Sequence, residues 1–243
     1  MYKLVRPNGY DFYSNTIDYA GNVGKIVRVD DYDPPGKGPC ARGLHASRNP
    51  NDCFVGAKIP CRAFKVKGVE KLAGDRVKCR YKGLKILKEV HDLNKLFGWD
   101  YEQAANPINP FKIKPPRITS KHICWLRQID SVRDSIGDSV GDSVRDPVWD
   151  PVWDSVWDSV RGSVRDSVWG SVWNSMWDSM WAYIGSFFQI KKWRYINHKP
   201  GVYPFQPHIN LWKQGLVPSY DGKTWRLHGG EYGKVLWEGG QNG

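Results

Sequence analysis

The residues best suited to hold a metal or move a proton are six histidines (His45, His91, His122, His198, His208, His228) and five cysteines (Cys40, Cys53, Cys61, Cys79, Cys124). Their spacing assembles neither chemistry. The histidines are scattered, and each is read as a structural or exposed side chain. The cysteines are odd in number and contain no Cys-x-x-Cys pair, so five free, mostly buried thiols are expected. A zinc site from Cys40, His45, Cys53 and Cys61 is the weaker alternative. No nucleophile elbow, zinc-protease helix, phosphate loop or dinucleotide-binding glycine run occurs. Ten aspartates recur at intervals of four or a multiple of four, without the dense Asp/Gly loops of calcium repeats, so they are expected to solvate one face. The expectation is no catalytic residue, no metal and no cofactor.

Two other residue sets carry possible binding chemistry. Lys65, Lys67, Lys78, Arg80, Lys82, Lys85 and Lys88 alternate with apolar positions, which predicts one strongly basic sheet face able to meet a phosphate backbone. The plainer reading is a solvated face, or one that docks an acidic part of the same chain. Trp149, Trp153, Trp157, Trp169, Trp173, Trp177 and Trp181 recur every fourth residue with one gap. Such a column can stack bases, meet a membrane interface or associate with a second copy. Its plain reading is a packing seam.

The tryptophans belong to a repeat. From Asp130 to Trp181 the chain reads as 13 tetrads without insertion: Asp, Ser, an apolar residue, then Trp, Arg or Gly. A strand would mix Asp with Val on one face. A helix places the third and fourth positions about 100° apart, as a stripe opposite Asp and Ser. Four residues turn about 400°, so the stripe drifts about 40° per tetrad. Pro147 and Pro151 each cost about 3 kcal/mol in a helix interior. The prediction is therefore a helical tract in two pieces, 130–145 and 147–188, with Asp146 as cap, Pro147 as first helical residue and Pro151 removing one hydrogen bond. A tight solenoid is the competing form.

Around the tract, residues 1–95 read as a basic β-rich module with short β-branched runs and Gly/Pro turns. Residues 96–129 read as a Pro-rich connector, 130–188 as the tract and 189–243 as a small β-rich cap. In that cap, Tyr203 to Pro207 is expected as a loop and Asp221-Gly222 as a two-residue hairpin turn. The fold class is α+β. The chain of 243 residues carries a net charge of +11, made of +9 (1–95), +3 (96–129), −6 (130–181) and +5 (182–243). No apolar run is long enough to span a membrane and no leader peptide stands at the start, so a cytoplasmic protein without membrane contact is expected.

Several segments carry a resemblance. Gly43-Leu44-His45, Asp52-Cys53-Phe54, Cys61 to Val66, Gly74-Asp75 and Lys85 to Glu89 follow an order that resembles a module of tailed-phage proteins, where it precedes short tandem repeats. Ala46-Ser47 stands where an aromatic and a cysteine are common in that module. The tract is similar to Asp-Gln-Val-Trp repeats of bacterial proteins. Both resemblances imply a phage or prophage setting and no chemistry. Tyr2-Lys3-Leu4 with Gly43 to Ser47 also resembles the core order of ADP-ribosyltransferases, with Glu70 the only candidate for a catalytic carboxylate.

The sequence thus favours a non-enzymatic structural or interaction protein whose partner is itself or another protein. Nucleic-acid binding by the basic face is the alternative, and an ADP-ribosyltransferase-like enzyme a remote one.

Overall fold

The computed structural model describes residues 1–144, 147–163 and 166–240, apart from the side chains of 166–175. The fold is α+β. The chain gathers into two compact units, residues 1–105 with 146–151, and residues 106–145 with 152–243. The first boundary falls inside the segment read as a connector, and the tract is divided between the units.

The first unit is built on a long antiparallel hairpin, β4 (Arg62–Gly74) with β5 (Cys79–Val90). Its residues alternate as the pleat requires: Phe64, Val66, Leu84 and Ile86 are buried, while Lys65, Lys67 and Lys85 are exposed. β1 (Tyr2–Val5) pairs with β4, and β2 (Ile26–Arg28) and β3 (Leu44–Ala46) pair with β5 on its other edge. The sheet curls until its two sides meet. Tyr2 exchanges backbone hydrogen bonds with Ser47, just past β3, at 2.8 and 3.0 Å. Val5, Tyr19, Val27, Leu44, Ala46, Phe64, Val66, Leu84 and Ile86 fill the interior. Gly68 is required where the curl is tightest, since a Cβ there would lie 2.2 Å from the Tyr81 ring. Two short helices follow, α1 (Leu93–Phe97) and α2 (Tyr101–Ala105). Asp92 caps α1 by accepting from Lys95 N at 2.9 Å, and Gly98 ends it in the left-handed region.

In the second unit, α3 (Ser120–Asp130) and α7 (Gln206–Trp212) pack with the sheet of β6 (Leu216–Tyr220), β7 (Thr224–Gly229) and β8 (Lys234–Gly240). Leu126, Ile129, Leu211, Leu216, Trp225 and Leu227 form their common core. The segment read as a loop from Tyr203 to Pro207 in fact leads into α7. Pro207 sits in the first turn, where its missing N–H is not needed. Asp221-Gly222 does form the β6–β7 turn. Tyr220 pairs with Trp225, however, so four residues make the loop, and Asp221 holds it by accepting from the N–H groups of Lys223 and Thr224.

The tetrad tract is helical and not a solenoid, but among its described residues three helices stand where two were expected: α4 (Ile136–Gly141), α5 (Trp149–Val160) and α6 (Asp166–Gly185). Pro151 is the third residue of α5, inside the first turn, so it removes no intrahelical bond. The expected Asp146 cap lies outside the described residues. A short 3-10 turn over Arg161–Ser163 separates α5 from α6, where Arg takes the Trp position. These breaks limit the drift of the stripe. Within α6, four tetrads turn the stripe about 160° around the helix, so one flat neighbour cannot cover it. α6 accordingly packs against α4, α7 and β6.

Candidate functional site

A cleft of about 720 Å³ opens beside β1 and β3 in the first unit. Three pieces of local structure shape it. The loop 31–42 is held by Arg80, whose guanidinium is fully buried and donates to the carbonyls of Asp33, Arg42, Pro34 and Lys37 at 2.6 to 3.2 Å. Gly43, at φ +142°, lets the chain pass against the Arg80 stem, where a Cβ would come within 2.9 Å. The loop 11–18 is organised by Asp11, which accepts from Ser14 N, Ser14 Oγ, Thr16 N and Ile17 N. Burial alone would raise that carboxyl; the bonds from Ile17, Ser14 and Thr16 hold it down at about 2. The third piece is the turn 51–55, where Cys53 Sγ lies 3.3 Å from Tyr2 O.

Lys3 and His45 reach this cleft from opposite sides of the closed sheet. Lys3 is paired with Phe64, so it projects on the face of Val5, Phe64 and Val66. Burial pushes its ammonium pKa down, while the fields of Cys53 and Asp11 oppose that shift. Its ammonium stands 5.5 Å from the centre of the Tyr19 ring. No hydrogen bond or ion pair engages it among the described residues. Burial, then the charges of Lys3 and Lys78, brings the His45 imidazole down to about 4 against a bond to the Pro39 backbone, so the ring is neutral at pH 7. His45 Nε2 and the Tyr19 hydroxyl are both buried without a hydrogen-bond partner among the described residues. Burial also raises the Tyr19 hydroxyl pKa and that of the Cys53 thiol. Neither is a nucleophile as it stands. At the mouth, Tyr13 is fully exposed and Val55 more than half exposed.

Of the other charges that line the cleft, Asp30, Asp52 and Lys78 have no ion pair among the described residues, while Arg42 and Asp31 are engaged. Arg42 pairs with Asp31 at 2.5 Å and with Asp33 at 3.1 Å. Among the described residues, no three His, Cys, Asp or Glu gather as metal ligands. Cys40 is exposed and Cys61 buried, so the zinc alternative has no geometry behind it. Burial pushes the Cys61 thiol up to about 12.

The chain matches no family model, no curated protein and no solved structure. The tailed-phage and repeat resemblances thus rest on the residues quoted for them. The two segments that resemble ADP-ribosyltransferases, 2–4 and 43–47, are the ones bridged at Tyr2 and Ser47. Glu70 is elsewhere. It pairs with Arg28 at 2.6 Å and Lys82 at 3.1 Å and does not line the cleft.

The basic residues chosen from sequence do not form one face. Lys65 lies opposite Lys88 and Lys67 opposite Lys85, all four exposed and without an acidic partner among the described residues. Arg80 is a buried structural cation, Lys78 lines the cleft, and Lys82 pairs with Glu70 and covers the Tyr32 ring. Alternation on β5 could not reveal this, because register shifts on the hairpin interrupt it at two places.

The tryptophan column is a flank and the third position is the core. Val148, Val152, Val156, Val160, Met176 and Met180 are buried, most of them completely. Trp149, Trp153, Trp157, Trp177 and Trp181 are half-buried. The Trp153 ring lies 4.5 Å from Trp177 and 5.5 Å from Trp181, and Trp157 lies 6.4 Å from Trp177. The side chains of Trp169 and Trp173 lie outside the described residues.

Three of the remaining histidines make structural bonds. His122 caps α3 through Thr119 and reaches Gln214, His228 joins Ser219 to Gly233, and His198 accepts from Trp193 N. His45 and His208 each keep a buried Nε2 without a hydrogen-bond partner among the described residues, and no local spacing could have linked His45 to Lys3.

Proposed function

We propose that the first unit is a small-ligand-binding domain and that the cleft beside β1 and β3 is its site. One observation carries this reading: a roomy concavity around which a lysine ammonium, an imidazole nitrogen and a tyrosine hydroxyl all lack partners among the described residues. Buried polar groups are nearly always satisfied, and an exception needs a cause. A largely apolar cleft with a few convergent polar groups is the usual form of a ligand site. A fragment screen by ligand-observed NMR on the intact protein tests it. Tyr13→Ala, at an exposed position, is expected to weaken the hits several-fold without changing the melting temperature. No hit at millimolar concentration would reject the reading.

A second reading is favoured by the four opposed lysines. Like charges directly across a ladder destabilise it, so a face of two such pairs suits a polyanion. We propose it as a phosphate-backbone contact. The slope of binding against salt for a single-stranded oligonucleotide should fall by about one for each lysine replaced by Gln. Equal slopes would dismiss it. The interaction-protein reading has less to draw on, because the Val/Met column lies inside and the flanking rings meet one another. No helix among the described residues is long and apolar enough to cross a membrane.

A further inference from the structure

The opposed lysines of β4 and β5 have neighbours on the two outer strands of their sheet. Residues directly across an antiparallel ladder point to the same face, so the register sets this face out in rows. Tyr2, Lys65 and Lys88 make one row; Lys67, Lys85 and Ile26 make the next, about 7 Å further along β4. Each row holds two like charges and ends on an uncharged side chain, Tyr2 on β1 and the exposed Ile26 on β2. Tyr2 is half-buried, and no hydrogen bond or ring contact engages its side chain among the described residues. The carboxylates that follow on the same two strands are held by other cations: Glu89 by Arg62 at 2.7 Å, and Glu70 by Arg28 and Lys82. Asp52 lines the cleft instead.

Lysines alone do not choose among polyanions. The tyrosine does. A duplex offers its phosphates and keeps its bases stacked on each other, whereas an unpaired strand presents phosphates and free base faces together. A phenol ring beside a lysine pair therefore finds a partner only on the unpaired strand. We infer that this face binds single-stranded nucleic acid, with phosphates on the Lys65–Lys88 and Lys67–Lys85 pairs and a base stacked on Tyr2. The inference rests on the phosphate-backbone reading proposed above and adds the form of strand that is bound.

Three polyanions separate its parts: an oligothymidylate of about 12 nucleotides, the same strand annealed to oligoadenylate, and inorganic polyphosphate. Titrated into the intact protein by calorimetry at low salt, the single strand should bind at least about fivefold tighter than the duplex, although the duplex carries the denser charge. Tyr2→Ala should weaken the single strand about five- to a hundredfold, the range for one stacked base, with its salt slope unchanged. The same variant should leave duplex and polyphosphate binding where they were, and Tyr2→Trp should keep the preference. Lys65→Gln combined with Lys88→Gln should weaken all three. Circular-dichroism melting checks that each variant folds; if Tyr2→Ala does not, the order of single strand and duplex on the unaltered protein decides. Equal binding of the two, or a folded Tyr2→Ala variant that binds the single strand as before, would overturn the single-strand assignment and leave the phosphate contact in place. No binding at low salt, or binding indifferent to the lysine pair, would overturn both. Capture by phosphatidylserine-containing vesicles without binding of either oligonucleotide would give the face to a lipid surface.

Discussion

At the scale of single residues, two ionisable side chains are predicted to control stability. Arg80 holds four carbonyls of one loop from a fully buried position, so Arg80→Met leaves those acceptors without their donor. A loss of about 3 kcal/mol or more is expected from hydrogen bonds to a charged group, read as a lowered urea midpoint. An unchanged midpoint would mean the loop stands without it. Asp178, half-buried on α6, is the opposite case. Burial pushes its carboxyl up to about 6, with Arg133 opposing and Asp134 adding to the rise. A carboxyl that binds its proton more tightly when folded stabilises the fold below its unfolded value near 4, and that stabilisation is lost as pH rises to about 6. Asp178→Asn is expected to remove this slope and to raise stability at pH 7 by about 1 to 2 kcal/mol, allowing for its remaining exposure. Asn already stands at the same tetrad position at residue 174. A variant with the wild-type slope would place the titration elsewhere.

At the scale of elements, the period of the tract was legible and its packing only partly so. Helical separation of Val from Asp followed from angles alone, and buried Val152, Val156 and Val160 with exposed Asp150, Asp154 and Asp158 agree with it. The breaks were hidden. They come from drift of the stripe and from prolines that suit a first turn, and both depend on the neighbours available. Met180→Ala should cost about 2 to 5 kcal/mol, whereas Asp154→Ala should stay within about 0.5 kcal/mol in the same denaturation experiment. The reverse order would mean that the stripe faces solvent. The β-rich head and the C-terminal hairpin were readable from alternation and turn residues. α7 was missed because Pro204 and Pro207 were read as breakers, although one precedes the helix and the other sits in its first turn.

At the scale of the whole molecule, the site was the least legible part. Lys3 and His45 are 42 positions apart in the sequence and line one cleft only because β1 and the end of β3 bridge. Motif spacing cannot see a grouping made by sheet closure. Charge was misleading in a related way: Arg80 and Lys82 counted toward a basic face, yet one is buried and the other paired. The internal Val/Met column predicts a monomer whose mass by light scattering is the same at low and high salt. A salt-independent dimer would show that the half-exposed Trp edges pair between copies.

The Tyr2–Ser47 bridge also bears on how the chain reaches its fold. Residues 2–5 are synthesised some sixty residues before their ladder partners 62–65, and β5 comes later still. Until then the first strand has nothing to pair with. Pairings this far apart in sequence bear their loop-closure cost before any contact rewards it, so the first unit should fold slowly, toward the millisecond-to-second range. α4, α5 and α6, whose backbone hydrogen bonds are local, have no such wait. The helical repeat, last to be synthesised of the two, can be ordered before the sheet that precedes it has closed.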